Sequence, residues 1–398
     1  MTEYNEEWVM SRKNRNHGLL PIKRVLNDLG NPQDAVKTVH IAGTNGKGSV
    51  TNDLKEILRA HGYHVGMFTS PHLVSHRDRI RIDDVWISEE VFHKYLLENI
   101  EAIEREDLGM FEIDCLIAFQ WFKDKHVDYA LIESGLGGRL DNTNVIRHPE
   151  LEIVTTIAYD HMNILGSRIQ QIAFEKAGII QKRTTCIIGF LPKTVLPVFE
   201  RKAARMQAAL IKCPAYDDLG GQSLRFDHDE YELSSLADYQ KKNAALALES
   251  AKLLGISIHT DITKQALYHA QWAGRFEIIR KHPTVVLDGA HNEEGMRALI
   301  QSLSKLPRPL TVVFSALKDK PGQTMAELLK ENCDRLLITQ FANSRADTID
   351  GLSISGCQTL ASWKDAVDQA LKETSPEGSI VITGSLYLCH WFVHIYEK

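Results

Sequence analysis

The residues of this chain best suited to chemistry run from Lys37 to Ser49, Lys-Thr-Val-His-Ile-Ala-Gly-Thr-Asn-Gly-Lys-Gly-Ser. A β-branched apolar run containing Val39 and Ile41 leads into a glycine-rich turn with one lysine and one hydroxyl, and a helical pattern follows over residues 50–60. Strand, glycine loop and helix together form an anion cradle, because backbone N–H groups and the helix N-terminus point at phosphate oxygens. In that cradle Lys47 is placed to reach the β/γ-phosphates of a nucleoside triphosphate, and Ser49 to sit near Mg²⁺. The spacing departs from G-x-x-x-x-G-K-[ST]. Ile41 occupies the place of the first glycine, and Gly48 separates Lys47 from Ser49.

Five further clusters are rich in polar groups, four of them with glycine or proline. Thr69-Ser70-Pro71-His72-Leu73 follows an apolar run and reads equally as a turn. Glu133-Ser134-Gly135-Leu136-Gly137-Gly138-Arg139-Leu140-Asp141-Asn142-Thr143-Asn144 puts a carboxylate at a strand tip, where a phosphate-bound Mg²⁺ takes hard oxygen ligands. Its glycines allow close backbone approach to a ligand. Asp160-His161-Met162-Asn163 offers His161 as a metal ligand or as a turn residue. Glu175-Lys176-Ala177-Gly178 reads, on sequence alone, as a helix C-terminus with Lys176 on the dipole and Gly178 as the cap. Gly274-Arg275-Phe276-Glu277 and Leu287-Asp288-Gly289-Ala290-His291-Asn292 form the fifth, with Arg275 as a bidentate phosphate donor.

The elements that must position these groups alternate along the chain. Strands are expected at 36–42, 63–68, 129–133, 152–157 and 184–189, with helices at 50–60, 88–105, 114–125 and 168–177. The pattern weakens over 197–238, where 223–233 alternates as a hairpin, and a helix follows from about 238 to 254. A second series has strands at 284–287, 310–314, 335–339 and 379–383. The fold class is therefore α/β: an N-terminal P-loop ATPase domain with a mostly parallel sheet, plus a smaller C-terminal Rossmann-like α/β domain. The expected boundary gives domains 1–273 and 274–398, and ligands are expected at the carboxyl ends of the strands.

Composition narrows the function classes. The chain has 398 residues and a net charge of −6, without the basic excess that nucleic-acid binding needs. Six scattered cysteines form no Cys-x-x-Cys pair and read as reduced core residues of a cytoplasmic protein. The acidic N-terminus lacks the apolar stretch of a signal peptide, and no apolar run is long enough to span a membrane. The apolar segment 386–396 is short and reads as a packed terminal helix.

Taken in order along nearly the whole chain, these segments resemble the Mur ligase superfamily, specifically its folylpolyglutamate synthase / dihydrofolate synthase branch. The resemblance also takes in Gly30-Asn31-Pro32-Gln33, Phe111-Glu112, Asn243 and Gly384-Ser385-Leu386-Tyr387. It implies that Gly46, Lys47, Gly48 and Ser49 hold ATP phosphates, and that Ser70, Glu133 and His161 ligate Mg²⁺. Lys176 matches a lysine carbamylated in the family, which replaces the helix-cap reading. Asn243, Arg275 and Asp288 match nucleotide contacts, while Phe111, Arg139, Leu140, Asp141 and Asn142 match the pocket for the pterin-bearing substrate.

The implied activity is ATP-dependent addition of L-glutamate to a folate carboxylate through an acyl phosphate, with dihydropteroate as a further acceptor. Lys47, Lys176, His161 and Arg275 are the expected catalytic set, and closure of the C-terminal domain is expected to exclude water. A cytoplasmic monomer with ATP and Mg²⁺ as cofactors is expected. Gly109 and Asn142 depart from the family's Thr and Ala in the pterin pocket and bear on the dihydropteroate activity. Tyr239 replaces a frequent His, Ala273 a Pro and Gln181 a Lys. The rival readings are another Mur-type amide ligase acting on a cell-wall precursor and an ATP-binding regulator without ligase chemistry.

Overall fold

The computed structural model describes residues 4–12 and 18–396. Met1, Thr2 and Glu3 of the acidic N-terminus lie outside the described residues. Contacts divide the chain into two compact units. One holds Met1–Ala158, Met162–Tyr216 and Asn243–Leu267; the other holds Tyr159–His161, Asp217–Lys242 and Tyr268–Lys398.

The first unit is built on an eight-stranded sheet in the order β4-β3-β2-β5-β1-β6-β7-β8. Its strands are β1 (Lys37–Ala42), β2 (Val65–Phe68), β3 (Ile80–Ile82), β4 (Val85–Trp86), β5 (Tyr129–Glu133), β6 (Leu151–Val154), β7 (Thr185–Ile188) and β8 (Ala209–Lys212). The run from β2 to β8 is parallel, and β3 and β4 add an antiparallel edge. The strands β2, β5 and β6 are buried at every position and β1 at all but its first, the pattern of strands covered on both faces, and they enclose the polar Thr38, His40 and Glu152. The helix Lys47–Ala60 buries Val50, Leu54, Ile57 and Leu58 at helical spacing. Each such side chain contributes about 2 kcal/mol relative to exposure.

Register sets the site. Ile41 pairs with both Glu133 and Ile153, and Phe68 pairs with Ile132. The carboxyl ends of β2, β5, β1 and β6 are therefore level, so Ser70, Glu133, Gly43 and Thr155 leave the sheet at one edge.

The second unit carries a six-stranded sheet in the order β12-β13-β17-β14-β15-β16, and a small sheet β11-β10-β9. The strands are β9 (Asp217–Asp218), β10 (Ser223–Phe226), β11 (Asp229–Glu232), β12 (Arg275–Lys281), β13 (Thr284–Asp288), β14 (Leu310–Phe314), β15 (Arg335–Thr339), β16 (Gln358–Leu360) and β17 (Ser379–Thr383). Only β12 runs antiparallel in the larger sheet. The terminal helix Leu386–Tyr396 packs Leu388, Cys389 and Phe392 into the core beside it. Among the described residues no helix is long and apolar enough to cross a membrane.

Several elements depart from expectation. Residues 196–206 are helical and lead into β8, because Pro197 sits in the first turn of that helix, where its missing N–H costs nothing. The helix expected from 114 begins at Met110, so Phe111 and Glu112 lie in its first turn. Arg275 opens an antiparallel strand. All six cysteines are free; Cys115, Cys186 and Cys389 are buried, whereas Cys213, Cys333 and Cys357 are half-buried.

Candidate active site

The loop after β1 is held in shape by hydrogen bonds to the segment that follows β6. The Thr44 N–H donates to the Thr156 carbonyl (2.8 Å), and the Ala158 N–H donates to Thr44 Oγ1 (3.0 Å). The Asn45 N–H donates to Thr156 Oγ1 (2.8 Å), and the Asn45 carbonyl accepts from Thr155 Oγ1 (2.6 Å). Thr155 and Thr156 thus clamp the loop, a role that nothing in their spacing signalled. Gly46 is left-handed (φ 83°) at the N-cap of the helix Lys47–Ala60. A Cβ there would lie 2.5 Å from Asn243 Oδ1, so Asn243 lies directly against the loop. Gly48 and Ser49 form the first turn of that helix, whose N–H groups are available to an anion.

Glu133 gathers the other expected groups. Its buried carboxylate lies 3.7 Å from Lys47 Nζ, and the Ser70 N–H donates to its Oε2 at 3.4 Å. Lys47 Nζ also donates to the Thr44 carbonyl at 3.4 Å. One hydroxyl and one carboxylate of hard oxygen stand beside a phosphate cradle, a donor set that fits Mg²⁺, which takes its remaining ligands from phosphate and water. Among the described residues no three His, Cys, Asp or Glu side chains gather as a metal cage.

Lys176 is only 5% exposed and donates from Nζ to the Gly43 carbonyl at 2.7 Å. It reaches into the phosphate loop from the last turn of the helix Ile169–Ala177. Gly178 is not a left-handed cap, since its φ is −56°. Its glycine is required by packing: a Cβ would lie 2.3 Å from Arg139 Cα.

The glycine-rich segment after β5 is tied to itself. Asp141 is buried and accepts from the Leu136 N–H (2.7 Å), the Thr143 N–H (3.0 Å) and Thr143 Oγ1 (2.5 Å). Burial raises the Asp141 pKa, opposed by those hydrogen bonds. Beneath it His40 Nε2 lies 2.9 Å from Thr143 Oγ1 and 3.1 Å from Ser134 Oγ; burial pushes the His40 pKa down to about 3, so the ring is neutral. Arg139 forms a fork on Glu175, with Nε and Nη2 3.1 and 3.0 Å from Oε1, and lies over Phe174. Leu140 is exposed and Asn142 half-buried.

Phe111 is buried against Phe68 and beneath the Arg79 guanidinium, 5.2 Å from its ring centre. The structure thus seats Asp141 and Phe111 inside the fold and leaves Arg139 and Leu140 at the surface. Sequence reasoning passed over the charged group behind Phe111. Arg79 pairs with Asp114 (3.3 Å) and donates to His72 Nδ1 (2.8 Å), while Asp114 holds His76 at 2.6 Å. Asp78 Oδ2 accepts from the Leu73 and Val74 N–H groups and shapes the Ser-Pro-His-Leu segment. Gly109 caps the helix Met110–Asp124 without a side chain, and its N–H donates to Glu112 Oε2 (2.9 Å).

In the second unit Asp288 ends β13 and is buried. Its Oδ1 accepts from the Ala290 N–H (2.8 Å), and its Oδ2 from the Phe276 N–H (3.0 Å) and the Tyr239 hydroxyl. Arg275 Nη1 lies 3.4 Å from the Gly289 carbonyl. His161 is left-handed (φ 48°), and its N–H donates to Asp160 Oδ1 at 2.8 Å. Asp160 is held by Lys320 Nζ (2.6 Å) and Asn292 Nδ2 (3.1 Å), with His291 Nε2 at 3.8 Å. Burial and Lys320 push the His291 pKa down to about 4. Lys320 was missed because it lies in a Lys-Asp-Lys run that reads as a solvated loop.

Comparison with known proteins adds an independent line. Residues 274–386 match the family model described as Mur ligase, glutamate ligase domain. The chain is 36% identical over 399 residues to the dihydrofolate synthase/folylpolyglutamate synthase of Bacillus subtilis, covering 93% of both chains. Among solved structures, E. coli FolC in complex with DHPP and ADP superposes with a TM-score of 0.90 at 27% identity, covering 98% of this chain and 96% of that one. A bifunctional folylpolyglutamate synthase/dihydrofolate synthase with Mn, AMPPNP and L-glutamate bound gives 0.88 at 26% identity, covering 98% and 97%.

Proposed function

Because the chain belongs to the folylpolyglutamate synthase / dihydrofolate synthase family of Mur ligases, we propose that it uses ATP to join L-glutamate to a folate carboxylate. The observation that carries this reading is the convergence of Lys47, Ser70 and Glu133 beside a phosphate loop into which Lys176 is buried. That arrangement suits transfer of a phosphoryl group to a carboxylate, which is a poor electrophile until activated. The acyl phosphate then meets the amine of glutamate, and phosphate leaves.

The residues divide the work. The helix N-terminus at Gly46, Gly48 and Ser49 would hold the phosphates, with Lys47 balancing charge as it develops. Ser70 and Glu133, with His161 as a further ligand, would hold Mg²⁺, which neutralises phosphate charge when bound. Lys176 in carbamylated form would present an anion where the bare amine presents a cation. Asn243, Arg275 and Asp288 are assigned to nucleotide contact. Phe111, Arg139, Leu140, Asp141 and Asn142 are assigned to the pterin-bearing acceptor. Residues 1–273 would bind ATP and 274–398 would serve as the glutamate-ligase part of a cytoplasmic monomer.

The test is ADP release with each component omitted in turn. The reading expects release that needs both L-glutamate and a reduced folate monoglutamate. Release indifferent to glutamate with every folate or pteroate acceptor would overturn it in favour of a regulator. Dihydropteroate run in parallel reads out the second activity on which Gly109 and Asn142 bear.

A further inference from the structure

We propose that Tyr239 is a positioning residue of the nucleotide site, acting through Asp288 on the turn that carries Arg275. The inference rests on the assignment of Arg275 to nucleotide contact. Tyr239 stands in the first turn of the helix Asp238–Leu253, and its hydroxyl donates to Asp288 Oδ2. The same oxygen accepts the Phe276 N–H at 3.0 Å. Phe276 has φ 53°, a left-handed conformation that a bulky residue adopts only when its surroundings impose it. It follows Arg275 directly, so the hydrogen bond that holds Phe276 also fixes the direction in which Arg275 leaves β12.

Gly274 lies on the other side of Arg275. Its N–H donates to Glu277 Oε2 (2.8 Å) and its carbonyl accepts from the Gly289 N–H (2.8 Å). Asp288 Oδ1 meanwhile holds the Ala290 N–H at 2.8 Å. One carboxylate therefore staples the start of β12, the turn after β13 and the helix bearing Tyr239. Its acceptor capacity is largely filled by donors of this chain, so its position is its main contribution.

The environment suits a permanent donor. Burial and Asp288 raise the Tyr239 pKa well above its usual value, so the phenol keeps its proton throughout the working range. Burial also raises the Asp288 pKa, and the Tyr239 hydrogen bond and Arg275 oppose that rise. Arg275 and Cys389 are the other ionisable groups that act on Tyr239.

The experiment measures ADP affinity by calorimetry and the KM for ATP in Tyr239→Phe, Tyr239→His, Arg275→Ala and the double variant Tyr239→Phe/Arg275→Ala, with a thermal melt for each. With the start of β12 no longer held against Asp288, Arg275 must be ordered when ADP binds, and ADP binding is expected to weaken by up to about ten-fold in Tyr239→Phe, the bound set by one hydrogen bond to a charged group. Tyr239→His retains a donor and is expected to recover most of it. In the Arg275→Ala background Tyr239→Phe is expected to add less than about two-fold, because both act on one contact. Should Tyr239→Phe not fold, Tyr239→Gln, which withdraws the hydroxyl and leaves Asp288 intact, carries the same comparison. Unchanged ADP affinity in Tyr239→Phe, or a full additive loss in the double variant, would overturn the proposal. Unchanged ADP affinity in Arg275→Ala would overturn the assignment of Arg275, and the proposal with it.

Discussion

Replacing Lys320 with methionine removes the cation from an enclosed ion pair of the second unit. Lys320 Nζ lies 2.6 Å from Asp160 Oδ1, and the two side chains are 4% and 10% exposed. Breaking a buried pair by deleting one partner costs about 3–5 kcal/mol, because the other charge stays out of water. Asp160 would keep the His161 N–H at 2.8 Å and Asn292 Nδ2 at 3.1 Å, which offset part of that cost. The expected loss is therefore about 2–4 kcal/mol. Asp160→Asn removes the charge that would be stranded, so the double variant Lys320→Met/Asp160→Asn should be less destabilised than the sum of the singles by about 1.5 kcal/mol or more. Urea denaturation followed by tryptophan fluorescence measures this, since Trp272, Trp363 and Trp391 belong to the second unit. Losses that simply add would show that Lys320 and Asp160 do not depend on each other, and would refute the reasoning.

Other expectations follow from the first unit. Lys47→Ala should lower kcat by about 10²-fold or more, checked by steady-state ADP release, since its ammonium faces the phosphate loop and Glu133. His40 is neutral in the fold, with its pKa pushed down to about 3 from 6.5. The unfolded chain therefore binds the extra proton between those values, so stability is complete above about pH 6.5 and falls as the pH drops, by up to about 1.4 kcal/mol per unit. His40→Gln should flatten that acid limb in a Tm-against-pH series. Gly178→Ala places a methyl 2.2 Å from Arg139 Cβ, and should cost about 1–3 kcal/mol in a denaturant melt as the two segments move apart.

Much of the fold was legible because its signals are local. β5, β14, β15 and β17 lie where their apolar runs lie, since a strand buried on both faces needs no alternation. Ser88 marks the start of its helix because its Oγ accepts the Val91 N–H, with Glu89 and Glu90 on the positive end of the dipole. The hairpin of β3 and β4 was not legible. It turns on Asp83 and Asp84, both left-handed, a pair that lacks the Asn-Gly or Asp-Gly signature. The site divides the same way. Glycine, lysine and the carboxylate at the end of β5 announce themselves by type and position, whereas Thr155, Thr156, Lys320 and Tyr239 act through contacts between segments far apart in sequence. Lys176 shows the limit most clearly. Its position at a helix end suggests a local role, and only the fold shows its amine on the Gly43 carbonyl.

The central claim is that ATP activates a carboxylate as an acyl phosphate before glutamate attacks. Folate acceptor labelled with ¹⁸O in its γ-carboxylate, turned over with ATP and L-glutamate, tests it directly by mass spectrometry of the released phosphate. Transfer of one labelled oxygen to each phosphate is the predicted result. Released phosphate that carries no acceptor label, while the amide product forms, would contradict the account.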